Sequence, residues 1–248
     1  VLDVVTRAGK ASLTDSATST KAIIAILKAY SMEASEAEYV SDMLFATIQR
    51  GVTTMKELAP NIGKAIAAAA MVGIDAPQVL AMISSTTRMG VSTRETITAI
   101  NRLMLNFSKQ TAAASDIALK YGFNLDTIKE SKTGLVEVFS KMTEATDKEK
   151  IALVGSVRAF KAMAAGVIDV KGQMYDLNYI RNAAGLTDIA MEKIEQTVAF
   201  KSEQIGQTMQ VAMLKFGELI LPIFEEILTL FESLESSGIV EYMERFVI

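Results

Sequence analysis

The 248-residue chain contains no cysteine, no histidine and no tryptophan. These absences close several chemistries together: disulfide frameworks, thiol nucleophiles, Ser-His-Asp relays, Cys/His zinc sites and helical di-iron sites that need His beside Glu. Aromatic residues make up only 6%, too few for the ring-lined platforms on which carboxylate glycosidases hold sugars. Gly9-Lys10-Ala11 and Gly63-Lys64-Ala65 lack both the hydroxyl residue after the lysine and the distant glycine of a phosphate-binding loop. Dinucleotide, nucleophile-elbow and calcium-loop spacings are missing too. No catalytic, cofactor-binding or metal-binding residue is assigned, no cofactor is expected, and the chain reads as a non-enzyme.

Excess positive charge is also missing. Lys and Arg total 25 against 29 acidic residues, a net charge of −4 with pI ≈ 5.1, so the whole-chain field repels phosphate polyanions and no sequence-specific nucleic-acid binding is expected. No basic-apolar-small leader opens the sequence. It starts at Val1 and stops at the apolar Arg245-Phe246-Val247-Ile248, and the expectation is a piece of a longer protein.

What is present favours helix. Half of the chain is hydrophobic, there are 14 Met, and only three prolines interrupt it; no segment alternates with period two for long enough to make a strand. Three junctions repeat one grammar: Gly51-Val52 before Thr54-x-x-Glu57, Gly73-Ile74 before Asp75-x-x-Gln78, and Gly90-Val91 before Ser92-x-x-Glu95. Each reads as a glycine in left-handed conformation ending one helix, an apolar staple, and a capping box opening the next. Ser35-x-x-Glu38 and Thr146-x-x-Glu149 add two more boxes. Helices are predicted near 15–31, 36–50, 55–72, 76–89, 93–121, 135–143 and 146–166, with a shorter one ending at Gly185 and a long candidate from Thr187 to Gly238.

The expected architecture is all-α: a multi-helix bundle of short capped helices followed by a long C-terminal helix interrupted at Pro222. Its organisation is an N-terminal helical segment (1–34), a helical core (35–186) and a long amphipathic helix (187–248). Along that last helix Met209, Met213, Phe216, Ile220, Ile223, Ile227, Leu230 and Leu234 recur in alternating steps of four and three. This heptad-like seam predicts packing against a partner helix, of this chain or of another copy. Glu218, Glu225, Glu226 and Glu232 break the stretch well below the ~20 apolar residues a membrane span requires. The Ala-rich run 65–74, flanked by Lys64 and Asp75, reads as close helix packing.

Charge is unevenly placed. Residues 50–109 hold seven basic against three acidic residues, a net of +4, whereas residues 213–248 hold two against seven, a net of −5. Either region can meet an oppositely charged partner or simply be solvated.

The run Leu58-Ala59-Pro60 through Ala67-Ala68-Ala69-Ala70, then Gly73-Ile74, Gly90-Val91, Thr96-Ile97-Thr98-Ala99-Ile100-Asn101-Arg102-Leu103 and Ala118-Leu119-Lys120-Tyr121-Gly122-Phe123, resembles the core region of phage tail tape-measure proteins in the order of its features. The similarity continues through Leu153-Val154-Gly155 and covers about 35–222. The resemblance implies a virion structural protein of the tail lumen, present in the host cytoplasm during assembly, that templates tail-tube polymerisation, sets tail length and leaves the tail during DNA ejection. It implies a trimer or hexamer and, as partners, tail-tube and tail-tip or baseplate proteins, tail assembly chaperones and, during ejection, the host membrane. No catalytic residue comes with it. At ~1.5 Å per helical residue the whole chain as one helix would reach only ~370 Å, so a longer segment elsewhere is expected to supply the distance. The alternative from another class is a membrane-active or pore-forming helical protein; a generic soluble scaffold is a third.

Overall fold

The computed structural model describes Val4, Thr6, residues 16–124, 126, 128, 131–196, 202, 205–215, 218, 222 and 229. The described residues are helical and contain no strand, as the sequence predicts. The chain divides into two compact units, Val1–Glu192 and Lys193–Ile248.

In the first unit, α1 (Ser16–Ala29), α2 (Ala37–Arg50), the single turn α3 (Met55–Leu58), α4 (Ile62–Met71), α5 (Ala76–Arg88), α6 (Thr93–Lys109), α7 (Ala112–Lys120), α8 (Gly134–Lys141), α9 (Asp147–Val154), α10 (Val157–Ile168) and α11 (Val170–Arg181) follow in chain order, and α12 (Leu186–Glu195) begins in the same unit. Helix α5 is the axis: α2, α4, α6, α10 and α11 all pack on it, and every residue from Gln78 to Thr87 is buried. A helix enclosed on all sides is usually apolar throughout, yet its last turns read Ser84-Ser85-Thr86-Thr87. Three of these hydroxyls bond within the helix: Ser84 Oγ to the Leu80 carbonyl (3.2 Å), Ser85 Oγ to Met82 (3.1 Å) and Thr87 Oγ1 to Ile83 (2.8 Å). Satisfied in this way, they enter the core without the cost of an orphaned donor.

The junctions behave largely as their spacing predicts. Thr54 and Glu57 form the reciprocal box, as do Thr146 and Glu149. Asp75 and Ser92 cap one-sidedly, accepting from the Gln78 and Glu95 amides, because the returning side chains are engaged elsewhere: Gln78 bonds Ser131 and Leu135, and Glu95 pairs with Lys161. Gly73 and Gly90 sit at φ 74° and 84°, the left-handed region expected of them.

Several expectations are corrected. Gly51 is extended, with φ −102° and ψ −178°, and is small for a different reason: a Cβ there would stand 2.8 Å from Thr87 Oγ1 and 3.1 Å from the Ser84 Cα. Val52 is 70% exposed and staples nothing. Ser35 does not cap α2; a 3-10 turn at Ala34–Glu36 precedes it, closed by the Glu36 carboxylate accepting from the Glu33 amide at 2.8 Å. The helix predicted over 55–72 is two, because Pro60 has no amide hydrogen and crowds the carbonyl four residues back. The one predicted over 93–121 breaks at Gln110 (φ 41°), where Thr111 recaps the chain through the Ala114 amide. The one predicted over 146–166 bends by 118° at Gly155 (φ 69°), with Ser156 capping α10.

In the second unit, residues 205–215 form a helix, α13. Pro222 is helical; the interruption predicted around it lies outside the described residues.

Candidate functional site

The predicted seam begins on α13. Met209 and Met213 are 60% and 69% exposed, and with Ile205 (65%) they fall one turn apart on one face. Val211 and Leu214 are exposed as well, and so is every other residue of 205–215. A helix that buries nothing relies on intrinsic propensity alone, which is marginal at this length, while burying each Ile or Met side chain is worth ~1.5–3 kcal/mol. Covering this face would therefore stabilise the helix. The remaining seam positions, Phe216, Ile220, Ile223, Ile227, Leu230 and Leu234, lie outside the described residues.

In the first unit the strongest concentration of charge is structural and internal. Asp176 on α11 has no exposed side-chain surface. Arg50 Nε, at the end of α2, donates to its Oδ1 at 2.8 Å, and Arg88 Nη1, at the end of α5, donates to its Oδ2 at 2.5 Å. Arg88 also donates to the Arg50 carbonyl at 2.7 Å and reaches Asp169 at 3.4 Å. The Arg50 guanidinium lies 4.6 Å from the centroid of the Tyr175 ring, which stacks on Tyr179 with centroids 6.4 Å apart. Tyr179 in turn donates to Gln49 Oε1 at 2.7 Å. Both carboxylate oxygens of Asp176 are thus engaged by cations, so the group is a cross-brace pinning the ends of α2 and α5 to the middle of α11 rather than a free base. Nothing in the sequence announced it, because its partners stand 126 and 88 residues away.

Two further braces follow the same logic. Asp42 of α2 accepts from the amides of Gly185 (2.7 Å) and Thr187 (2.9 Å), capping α12 across the fold. Glu149 accepts from the Thr146 amide and hydroxyl and from the Tyr121 hydroxyl at 3.0 Å, and pairs with Lys120. The Lys120 bond first, then those from Thr146 and Tyr121, hold its carboxyl down to about 2. Tyr30 is pushed up by burial and then by the Asp75 charge, its hydroxyl donating to the Ile74 carbonyl at 2.8 Å. Each of these groups is tied to a structural partner.

Among the described residues no cluster of three His, Cys, Asp or Glu side chains is placed to hold a metal ion. Nor is any single helix there long and apolar enough to cross a membrane; the pair that would suffice together, α9 with α10, is the one bent at Gly155.

A family model described as phage-related minor tail protein matches residues 1–163. No curated protein and no solved structure matches the chain.

Proposed function

We propose a tape-measure role for this chain, which belongs to the phage-related minor tail protein family. The chain is a structural component of the phage tail; the finer role is our reading. Copies associate through the Met209–Leu234 seam inside the tail lumen, the tube subunits polymerise around them, and growth ends where the helical template ends. Tail-tube and tail-tip or baseplate proteins are the proposed partners, with assembly chaperones engaging the chain in the host cytoplasm, and the protein leaves the tube ahead of DNA at ejection. The braced first unit serves as an anchor, while extended helix supplies the distance.

The observation that supports this reading is the exposed apolar stripe of α13; in the first unit the carboxylates of Asp176, Asp42 and Glu149 are committed to structural partners. Such a molecule is suited to recognise other helices and to convert nothing. The test is in the phage that carries the gene. In-frame removal of predicted helical segments should shorten tails by ~1.5 Å per residue removed, measured by electron microscopy, and the protein should be present in intact virions and gone from emptied ones. Tails of unchanged length after such deletions would sink the tape-measure role while leaving the tail assignment intact.

A further inference from the structure

Two unpaired clusters of opposite charge stand at the two ends of the axial helix α5. Between Lys28 and Arg50 the chain holds four acids, Glu33, Glu36, Glu38 and Asp42, and no base. Asp42 is buried and spent on the Gly185 and Thr187 amides. Glu33, Glu36 and Glu38 are exposed around the 3-10 turn before α2, and none of them has an ion-pair partner among the described residues. Side chains three apart in a 3-10 turn lie on one side, which sets Glu33 and Glu36 together. This acidic turn sits at the start of α5: Tyr39, in the first turn of α2, donates to the Arg181 carbonyl at 3.4 Å, and Arg181 pairs at 2.7 Å with Asp75, the cap of α5.

The other end of α5 leads through Gly90 into α6, and there α6 and α10 enclose a cleft of about 340 Å³ lined by Ser92, Arg94, Glu95, Thr98, Arg158 and Lys161. Its single acid, Glu95, is paired with Lys161. Arg94 and Arg158 are exposed and have no ion-pair partner among the described residues. Arg94 also stands in the first turn of α6, where the helix's own partial charge is positive and a further cation is unfavourable. An anionic group in the cleft relieves both repulsions. A helix ~10 Å wide is too large for a cleft of this volume, so what enters is side chains.

The thirteen residues of α5 hold these ends ~20 Å apart, so the acidic turn and the basic cleft of one copy cannot meet. Between two copies they can. We infer that the cleft between α6 and α10 receives the acidic turn of a second copy of this chain, with Glu33, Glu36 and Glu38 of one set against Arg94 and Arg158 of the next. The two halves of the contact are different surfaces, so each copy that has bound a neighbour keeps a free cleft at one end or a free turn at the other, and first units add head to tail. The contact lies wholly within the first unit and stands or falls independently of the α13 seam. Duplex nucleic acid is the weaker occupant of the cleft, because the net charge of −4 opposes it.

The chain contains no cysteine, so single introduced thiols report the contact directly. Ser35→Cys and Thr98→Cys are both at exposed positions and leave every charge of the two clusters in place. Mixed in equal amounts and treated with a short bismaleimide, the two full-length variants should give cross-linked pairs containing one of each, well above the yield of either variant alone, and high salt should suppress them. Arg94→Glu with Arg158→Glu in the Thr98→Cys chain should lower that yield by about tenfold, as should Glu36→Lys with Glu38→Lys in the Ser35→Cys chain, the scale expected of two exposed ion pairs. Mixing the two reversed chains should restore it. Far-ultraviolet circular dichroism checks that each variant is folded; where a reversal is not, the corresponding alanine substitutions replace it. Unlike pairs no more frequent than like ones, or a yield indifferent to both reversals, overturns the inference; if sedimentation still shows association, the seam stands without it. Binding of a labelled DNA duplex that depends on Arg94 and Arg158, without the unlike cross-link, overturns the inference in favour of nucleic acid.

Discussion

Arg88 Nη1 and Asp176 Oδ2 meet at 2.5 Å across the junction of α5 and α11, with the aspartate side chain wholly enclosed and the arginine 28% exposed. Removing one member of such a pair leaves a buried charge with less than its due of partners. Arg88→Met should therefore lower stability by about 3 kcal/mol in urea unfolding. Asp176→Asn should cost less, because the amide oxygen still accepts a bond and the two arginines can reach water. A loss below about 1 kcal/mol for Arg88→Met would show that Arg50 alone satisfies the carboxylate.

Gly166 lies inside α10 against α8 and α11. A Cβ on it would overlap the Phe139 ring and stand 2.7 Å from Gln173 Oε1, while Phe139 and Gln173 are both fully buried. Alanine ordinarily gains up to about 1 kcal/mol over glycine in a helix, but here overpacking wins. Gly166→Ala is expected to destabilise by ~1–3 kcal/mol, and Phe139→Leu in the same chain should recover part of it by vacating the contested space. Thermal unfolding of the single and double variants checks this; a stabilised Gly166→Ala would mean the ring moves freely.

Glu149 joins α7 to α9 through Lys120 and Tyr121, and the Lys120 bond first, with those from Thr146 and Tyr121, holds its carboxyl at about 2 against an ordinary 4.5. Because the folded-state value lies below the unfolded one, the stabilisation is present above about 4.5 and is lost as the pH falls towards 2. Glu149→Gln removes that pH-dependent part. Urea unfolding across this range should give curves that converge near pH 2 and diverge above about 4.5, with the wild type the more stable; parallel curves would show that the cluster does not couple to folding.

The legible features were those written within four residues of one another. Thr54, Asp75, Ser92 and Thr146 all cap where their spacing places them, since a cap is a bond between a side chain and an amide three positions on. Two breaks were equally local but hidden by continuous helical composition: Thr111 and Ser156 cap α7 and α10, and the Gly155-Ser156 pair was a stop and start signal in plain view. Asp176, Asp42 and the role of Gly51 are another matter. Their partners come from elements 33 to 145 residues away, and no pattern along one chain encodes such a meeting. The polar end of α5 reads as a surface helix, and only the packing of five neighbours shows that three of its four hydroxyls, those of Ser84, Ser85 and Thr87, are turned back on their own carbonyls.

The seam yields the last prediction. Met209 and Met213 are exposed within the chain, so replacing both with glutamate should change the melting of the first unit by no more than an exposed substitution does, within about 0.5 kcal/mol each. If other copies cover the stripe, the same change places two charges in an apolar contact and self-association should fall by far more than the change in melting implies. Replacing Ile223 and Ile227 together by aspartate extends the test along the heptad, where each lost side chain withdraws ~1.5–3 kcal/mol of transfer energy. Sedimentation and melting separate the outcomes. Reduced mass with unchanged melting identifies a contact between copies, and reduced melting identifies a contact within one. Unchanged mass and melting would mean that the stripe touches nothing in the free protein and is kept for a surface met only in the assembled tail.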